Sequence, residues 1–117
     1  MTNKPTVYAV HWPDINVFKI GFSERKRWRA FLNRGANLIG LLDDFANASE
    51  GYDFEYACHI VSSEVCRPGF ESSVEARPYL GGSGGGYVEC YRVPGDLMPS
   101  EILHFVNSRL AAFHAGA

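Results

Sequence analysis

The chain has 117 residues, 46% of them hydrophobic, which is enough for one compact domain with a sizeable core. Its net charge of −2 excludes a polycationic protein, and because no run of about 18 apolar residues occurs, no membrane span is predicted. The N-terminus lacks the apolar core of a signal peptide, and three cysteines without paired spacing predict reduced thiols, so we expect a cytoplasmic protein.

The first two predicted elements form an antiparallel β-hairpin. Residues 6–12 and 17–22 are rich in β-branched and aromatic residues, as strands are, and residues 13–16 between them, Pro-Asp-Ile-Asn, are typical of a turn. Each strand alternates between two sets of side chains, which we expect to lie on opposite faces of the sheet.

A basic helix is predicted directly after the hairpin, from Ser23 to Arg34. Ser23 is a suitable N-cap, and Gly35 is a suitable C-terminal stop. The apolar residues of this segment have helical spacing and should face the core, namely Trp28, Phe31 and Leu32.

The rest of the chain predicts further helices and strands. In order, we expect a helix over 38–48, a loop over 49–53, a strand over 54–61, a short helix that Pro68 opens and Pro78 ends, a loop over 81–86, a strand over 87–93 and a last helix over about 99–114. This order predicts an α+β fold in which helices flank a small antiparallel sheet of three or four strands. We expect one domain over residues 1–117, with its core over about 6–93.

Basic residues cluster near the start of the chain. Six of the 11 lie between positions 19 and 34, where Glu24 is the only acidic residue. This distribution favours a site for a polyanion such as nucleic acid, and a solvated helix face is the other interpretation. The six are Lys19, Arg25, Lys26, Arg27, Arg29 and Arg34.

The glycine-rich run over 81–86 is not predicted to bind phosphate. It lacks a Gly-Lys-Ser/Thr ending, and it follows a predicted helix and precedes a strand, whereas a phosphate loop follows a strand and starts a helix. We therefore expect a flexible loop.

The cysteines and the neighbouring histidine match no paired zinc-ligand spacing, so we expect structural thiols at Cys58, Cys66 and Cys90 rather than a zinc site with His59.

Two charged pairs have informative spacing. Glu71 and Glu75 are four residues apart on a predicted helix, so either both are simply exposed or a cation or arginines relieve their repulsion. Arg27 and Arg29 are two helical steps apart, about 200° around a helix axis, and cannot both face one pocket. One of them is therefore expected to face a site while the other faces solvent or stacks on a neighbour.

Taken together, these segments resemble the GIY-YIG nuclease superfamily, and in particular its small phage-type branch. Thr6-Val7-Tyr8 stands where the family has Gly-Ile-Tyr, and Lys19-Ile20-Gly21 stands for Tyr-Ile-Gly. The arginine-rich segment, the segment with the paired glutamates and the strand that begins at Tyr87 follow in the order that the family has. The resemblance covers about residues 6–93 and implies a GIY-YIG-like domain.

The resemblance implies metal-assisted hydrolysis of DNA phosphodiester bonds, with one Mg²⁺ or Mn²⁺ held by a single glutamate, by water and by phosphate. Glu71 is the glutamate expected in that role, and Tyr8 would help to activate the attacking water. An arginine, either Arg27 or Arg29 with Arg27 preferred, would neutralise charge on the phosphate. Lys19, which replaces a family tyrosine, would bond to water, contact phosphate or, if desolvated, act as a base. The other basic residues expected to bind nucleic acid are Arg25, Lys26 and Arg34.

Two kinds of function are therefore predicted. The first is a divalent-metal-dependent endonuclease acting on DNA, which as a lone small domain would form a homodimer to cut both strands. The alternative is a catalytically impaired DNA-binding module or a phage interaction module, because the motifs depart from the family pattern. In either case we expect the protein in the cytoplasm of a bacterial or phage-infected cell.

Overall fold

The computed structural model describes residues 5–95, 101, 104 and 108. Over residues 5–95 the fold is α+β, with one four-stranded antiparallel sheet in the order β3-β1-β2-β4 and three helices. The elements are β1 (Thr6–Trp12), β2 (Val17–Ser23), α1 (Arg29–Leu32), β3 (Asn37–Leu42), α2 (Ala48–Val65), α3 (Ser73–Leu80), a 3₁₀ turn (Tyr87–Glu89) and β4 (Cys90–Arg92). The predicted last helix lies almost wholly outside the described residues. Within them, no helix is both long and apolar enough to cross a bilayer.

The predicted hairpin is confirmed. β1 and β2 pair from Thr6 with Ser23 to Trp12 with Val17, and the turn between them contains Asn16 in the left-handed region at φ 53°. Both faces of the hairpin are buried, so the sheet is the middle of three layers. One face packs on α2, and the other packs on side chains of α1 and α3.

The helix predicted over 38–48 is wrong, because residues 37–42 form β3, which pairs with β1. The register shifts between Ala9 and Val10, so the edge strand contains a bulge. A short apolar run with a glycine at position 40 does not distinguish a helix from a strand by periodicity alone. Pairing with the exposed edge of β1 decides in favour of the strand.

The loop predicted over 49–53 and the strand predicted over 54–61 are also wrong, because both lie in α2. The Asn47 side chain caps this helix by accepting the Glu50 N–H at 2.9 Å. Phe54, Cys58 and Val61, spaced by four and three residues, pack against the sheet. The burial of this helical face outweighs the strand preference of the individual residues.

The predicted basic helix over 23–34 is reduced to the four residues of α1. Ser23 ends β2, and its hydroxyl accepts the N–H groups of Arg25 at 3.1 Å and Arg27 at 3.0 Å. Lys26 has φ 57°, which no right-handed helix can include. The segment between β2 and α1 is therefore a tight turn in which a serine caps amides without starting a helix.

The third helix begins later than predicted. Pro68 forms an isolated β-bridge with Tyr91, and α3 begins only after Ser72, whose hydroxyl accepts the Glu75 N–H at 3.3 Å. The helix also continues past Pro78 to Leu80. The two glutamates predicted to share a helix face do not, because Glu71 precedes the helix. The strand predicted over 87–93 is shortened to β4, since a 3₁₀ turn occupies its first three residues.

Because the cysteine thiols are buried, we expect the free energy of unfolding to fall in mildly alkaline solution. All three cysteines are free, and burial raises the pKa of Cys58 and of Cys90 from 9.0 to about 12. In the unfolded chain these thiols ionise above pH 9, while the native protein keeps them protonated. The free energy of unfolding is therefore unaffected by them below pH 9 and falls above it by about 1.4 kcal/mol per pH unit for each thiol.

Urea unfolding between about pH 8 and about pH 10 measures this slope, because the buried tyrosines and lysine contribute mainly above that range. The control is Cys58→Ala, for which a shallower slope is expected. A free energy of unfolding that stays constant to pH 10 would contradict the burial of these thiols.

Candidate functional site

An open pocket of about 330 Å³ lies where the hairpin, α2 and the loop before β4 meet. Its wall combines aromatic, basic and acidic side chains with backbone of the glycine-rich loop. The lining residues are Tyr8, Lys19, Phe22, Arg27, Phe31, Tyr52, Glu55, Gly85, Gly86 and Glu89.

Tyr8 and Lys19 lie side by side in the pocket because of the hairpin register. Tyr8 pairs with Gly21, and Lys19 pairs with Val10, so both side chains project from the same face of the sheet. The Lys19 ammonium donates a hydrogen bond to the Tyr8 hydroxyl oxygen at 3.3 Å. A Cβ at Gly21 would overlap the Tyr8 hydroxyl, so the glycine is required for this arrangement.

Lys19 is also paired with Glu89. Its ammonium lies 2.8 Å from the Glu89 Oε1 atom, and the lysine is only 4% exposed. Burial alone would lower the pKa of Lys19, but the adjacent Tyr8 and Glu89 oxygens outweigh burial and raise it. Lys19 therefore stays protonated, which removes the support for the prediction that it acts as a base.

Tyr8 stays neutral in the same environment. Burial is the main cause that raises the pKa of its hydroxyl above 10.0, although the Lys19 charge acts in the opposite direction. Because the Tyr8 oxygen accepts a hydrogen bond from Lys19, its own proton is free to point into the pocket. Tyr8 is thus a hydrogen-bond donor to whatever occupies the pocket.

Of the two candidate arginines, the structure brings Arg27 into the pocket. Arg27 precedes α1, and its Nη2 atom donates to the Phe22 carbonyl oxygen at 3.2 Å. Arg29 does not line the pocket, and its guanidinium lies 5.6 Å from the centre of the Trp28 ring. The divergence predicted for these two residues is therefore observed, although they do not share a helix.

The structure does not bring Glu71 into this pocket. Glu71 is exposed in the bend before α3 and lines a second cavity of about 470 Å³, together with Phe70 and Tyr87. The remaining predicted basic residues are all exposed. Arg25 lines a neighbouring cavity, Lys26 occupies the turn, and Arg34 donates to the Pro78 carbonyl oxygen at 3.5 Å.

A cluster of two carboxylates and an imidazole takes the place expected for Glu71. One potential ligand atom from each of Glu55, His59 and Glu89 lies within 4.8 Å of the other two. The His59 Nε2 atom is 3.6 Å from an oxygen of each carboxylate and has no hydrogen-bond partner, although it is buried. The Nδ1 atom of the same ring lies 2.7 Å from the Tyr91 hydroxyl.

The donor set of this cluster fits a divalent cation. With a proton on Nδ1 that is donated to Tyr91, His59 presents the lone pair of Nε2 towards the two carboxylates, which is a common arrangement for a metal-ligating histidine. A buried Nε2 atom without a partner is otherwise costly. Two carboxylates with one imidazole suit Mn²⁺ better than Mg²⁺, which prefers oxygen ligands only.

Glu89 connects the two parts of the site. Its Oε1 atom accepts from Lys19, while its Oε2 atom lies near His59. Side-chain exposures of 12% for Glu55, 19% for His59 and 33% for Glu89 show that the cluster is mostly shielded but open on the Glu89 side.

The sequence analysis missed Glu55 and His59 as functional residues because α2 was predicted as a loop and a strand. Two signals were present. Asn47 followed three residues later by Glu50 is a helix N-terminal pattern, and a glutamate and a histidine four residues apart then lie on one helical face.

Comparison of the chain with protein-family models, with curated proteins and with solved structures found no match.

Proposed function

We propose that this protein is a divalent-metal-dependent endonuclease that hydrolyses phosphodiester bonds of DNA, as its resemblance to the GIY-YIG nucleases implies. The observation that carries the proposal is the convergence of Tyr8, Lys19 and Arg27 in one open pocket with the two carboxylates of a potential metal-binding cluster, Glu55 and Glu89. These are the group types that phosphodiester hydrolysis needs: a donor to orient water, a cation beside the phosphate and carboxylates to hold a metal.

Each side chain has a role that follows from its contacts. The Tyr8 hydroxyl, held by Lys19, donates to and orients a water molecule in the pocket. The Lys19 ammonium keeps Glu89 in position and adds positive charge near the phosphate. Arg27, anchored on the Phe22 carbonyl, reaches the pocket from the exposed turn and binds the phosphate oxygens.

The metal ligands in this proposal are Glu55, His59 and Glu89, in place of the single Glu71 that the resemblance implied. A divalent cation held there would supply Lewis-acid stabilisation of the charge that develops on the phosphate. Mn²⁺ and Mg²⁺ are both candidates, and the imidazole donor favours Mn²⁺.

Exposed basic residues in the segment that follows β2 support a polyanionic substrate. Arg25, Lys26 and Arg34 would contact the DNA backbone without reading its sequence. The proposed setting is the cytoplasm of a bacterial or phage-infected cell, where the chain would act on DNA as a homodimer.

The test is cleavage of supercoiled plasmid in Mg²⁺, in Mn²⁺ and in a chelator, by the unaltered protein and by Glu55→Gln. We expect cleavage in the presence of metal only, faster in Mn²⁺, and a loss of at least about 100-fold for Glu55→Gln, which keeps the size but removes a ligand charge. The matched control is Glu71→Gln, which should cleave within about twofold of the unaltered protein because Glu71 lines a different cavity.

Equal loss for Glu55→Gln and Glu71→Gln, or cleavage in the chelator, would contradict the proposed metal site. Binding of DNA without cleavage in either metal would instead favour the alternative of a DNA-binding module that lacks catalysis.

A further inference from the structure

Tyr52 on α2 lines the pocket and is unusually exposed for a tyrosine that packs on the sheet. Its ring stacks on Phe22, with 3.9 Å between the ring centres and 26° between the planes, yet 52% of the residue is exposed. One face of the ring is therefore covered by Phe22, and the opposite face is available to a ligand.

The neighbouring cavity that Arg25 lines, of about 320 Å³, adjoins the pocket at this tyrosine. The two cavities share Phe22, Arg27 and Tyr52, and the second is completed by Glu24 and Arg25. A groove thus leads away from the metal-binding cluster, with the open face of an aromatic ring and two guanidinium groups along its wall. This combination suits one nucleotide, whose base has a flat aromatic face and whose phosphate carries the negative charge.

We propose that Tyr52 stacks on the base of an unpaired nucleotide adjacent to the phosphate that is cleaved, so that the enzyme selects single-stranded or locally unpaired DNA. This inference rests on the proposed nuclease function. In a duplex both faces of each base are covered by neighbouring bases, so a paired base cannot stack on Tyr52 without leaving the helix. Stacking depends on the aromatic face that every base shares, and it therefore selects strand state rather than sequence.

Tyr56 provides a matched control within the same helix. It lies one turn after Tyr52, is 69% exposed and lines neither cavity. Replacing either tyrosine by leucine removes an exposed phenol ring from α2, but only the Tyr52 ring lies in the groove. Tyr52→Phe removes the hydroxyl and retains the ring.

The experiment measures binding by fluorescence anisotropy, in a chelator, for three probes of about 20 nucleotides: a single strand, its duplex, and a single strand without bases that carries the same phosphates. We expect the single strand to bind at least about 10-fold more tightly than the strand without bases. Tyr52→Leu should reduce that ratio about 10-fold, while Tyr52→Phe and Tyr56→Leu leave it unchanged. A single-stranded RNA of the same sequence shows whether the unpaired base that binds belongs to DNA or to RNA.

Equal affinity for the strands with and without bases would overturn the inference, as would an equal loss for Tyr52→Leu and Tyr56→Leu. Both results would leave the proposed nuclease function in place if metal-dependent cleavage persists. Tight RNA binding without DNA binding overturns the inference as stated for DNA. Failure to bind any of the nucleic acids overturns the inference, and it overturns the proposed function as well only if cleavage in Mg²⁺ and Mn²⁺ is also absent.

Discussion

Replacing Glu89 with glutamine is expected to impair the proposed DNA cleavage severely and to destabilise the protein by about 2 kcal/mol. Activity falls, by at least about 100-fold, because the substitution removes one carboxylate from the cluster with Glu55 and His59. Stability falls because the Lys19 ammonium, only 4% exposed, loses the charge that lies 2.8 Å away. Plasmid cleavage and urea unfolding measure the two effects on the same preparations.

Two further variants separate these effects. Glu55→Gln should lose the proposed activity without losing stability, because the Lys19 ammonium is paired with Glu89 and the loss of the Glu55 charge relieves repulsion from Glu89. Lys19→Met combined with Glu89→Gln should recover most of the lost stability while remaining inactive, since neither partner is then left as an unpaired buried charge. If Glu89→Gln were as stable as the unaltered protein, the pairing with Lys19 would not be the one described.

The second large effect is expected from Gly21→Ala. A methyl group at this position would overlap the Tyr8 ring and lie 2.9 Å from the Lys19 Nζ atom. Tyr8 is 3% exposed and cannot move away freely, so we expect a loss of about 3 kcal/mol in the free energy of unfolding. Displacement of Tyr8 by even about 1 Å should also lower the cleavage rate about 100-fold.

The matched control is the same substitution at Gly85, which also lines the pocket. A Cβ there meets only the Ser83 Oγ atom, at 4.0 Å, and its backbone has no positive φ. Gly85→Ala should therefore change stability by less than about 0.5 kcal/mol. Similar losses for the two alanine variants would show that the close approach of Tyr8 to Gly21 is not what constrains this strand.

The part of the site that could be predicted from the sequence is the part that local structure determines. Tyr8, Lys19 and Gly21 belong to one hairpin, whose turn and strand lengths set the register directly. Arg27 follows within the next turn, so its distance from the hairpin is limited by only a few residues. Alternation and turn chemistry predicted the hairpin, and the order of the predicted elements predicted the α+β fold. The choice of Tyr8, Lys19 and Arg27 as site residues came from the resemblance to the GIY-YIG nucleases.

The rest depends on tertiary contacts that no local pattern reveals. The residues of α2 have strand propensity, and the segment is helical because Phe54, Cys58 and Val61 meet the sheet at helical spacing. Without that helix, Glu55 and His59 could not be placed beside the hairpin. Glu71 was chosen because the resemblance aligns it with the family's metal-binding glutamate on a helix, whereas in the structure α3 begins only at Ser73.

Glu89 immediately precedes β4, which has only three residues and pairs with β2 and, through an isolated bridge at Tyr91, with Pro68. Its two oxygens face different parts of the protein, one towards the hairpin and one towards α2. A cation bound as proposed between Glu89 and α2 would therefore link β4 to this helix. Its binding free energy would add to the stability of that edge of the sheet. Loss of a cation bound as proposed would therefore weaken this edge of the sheet as well as stop the proposed hydrolysis.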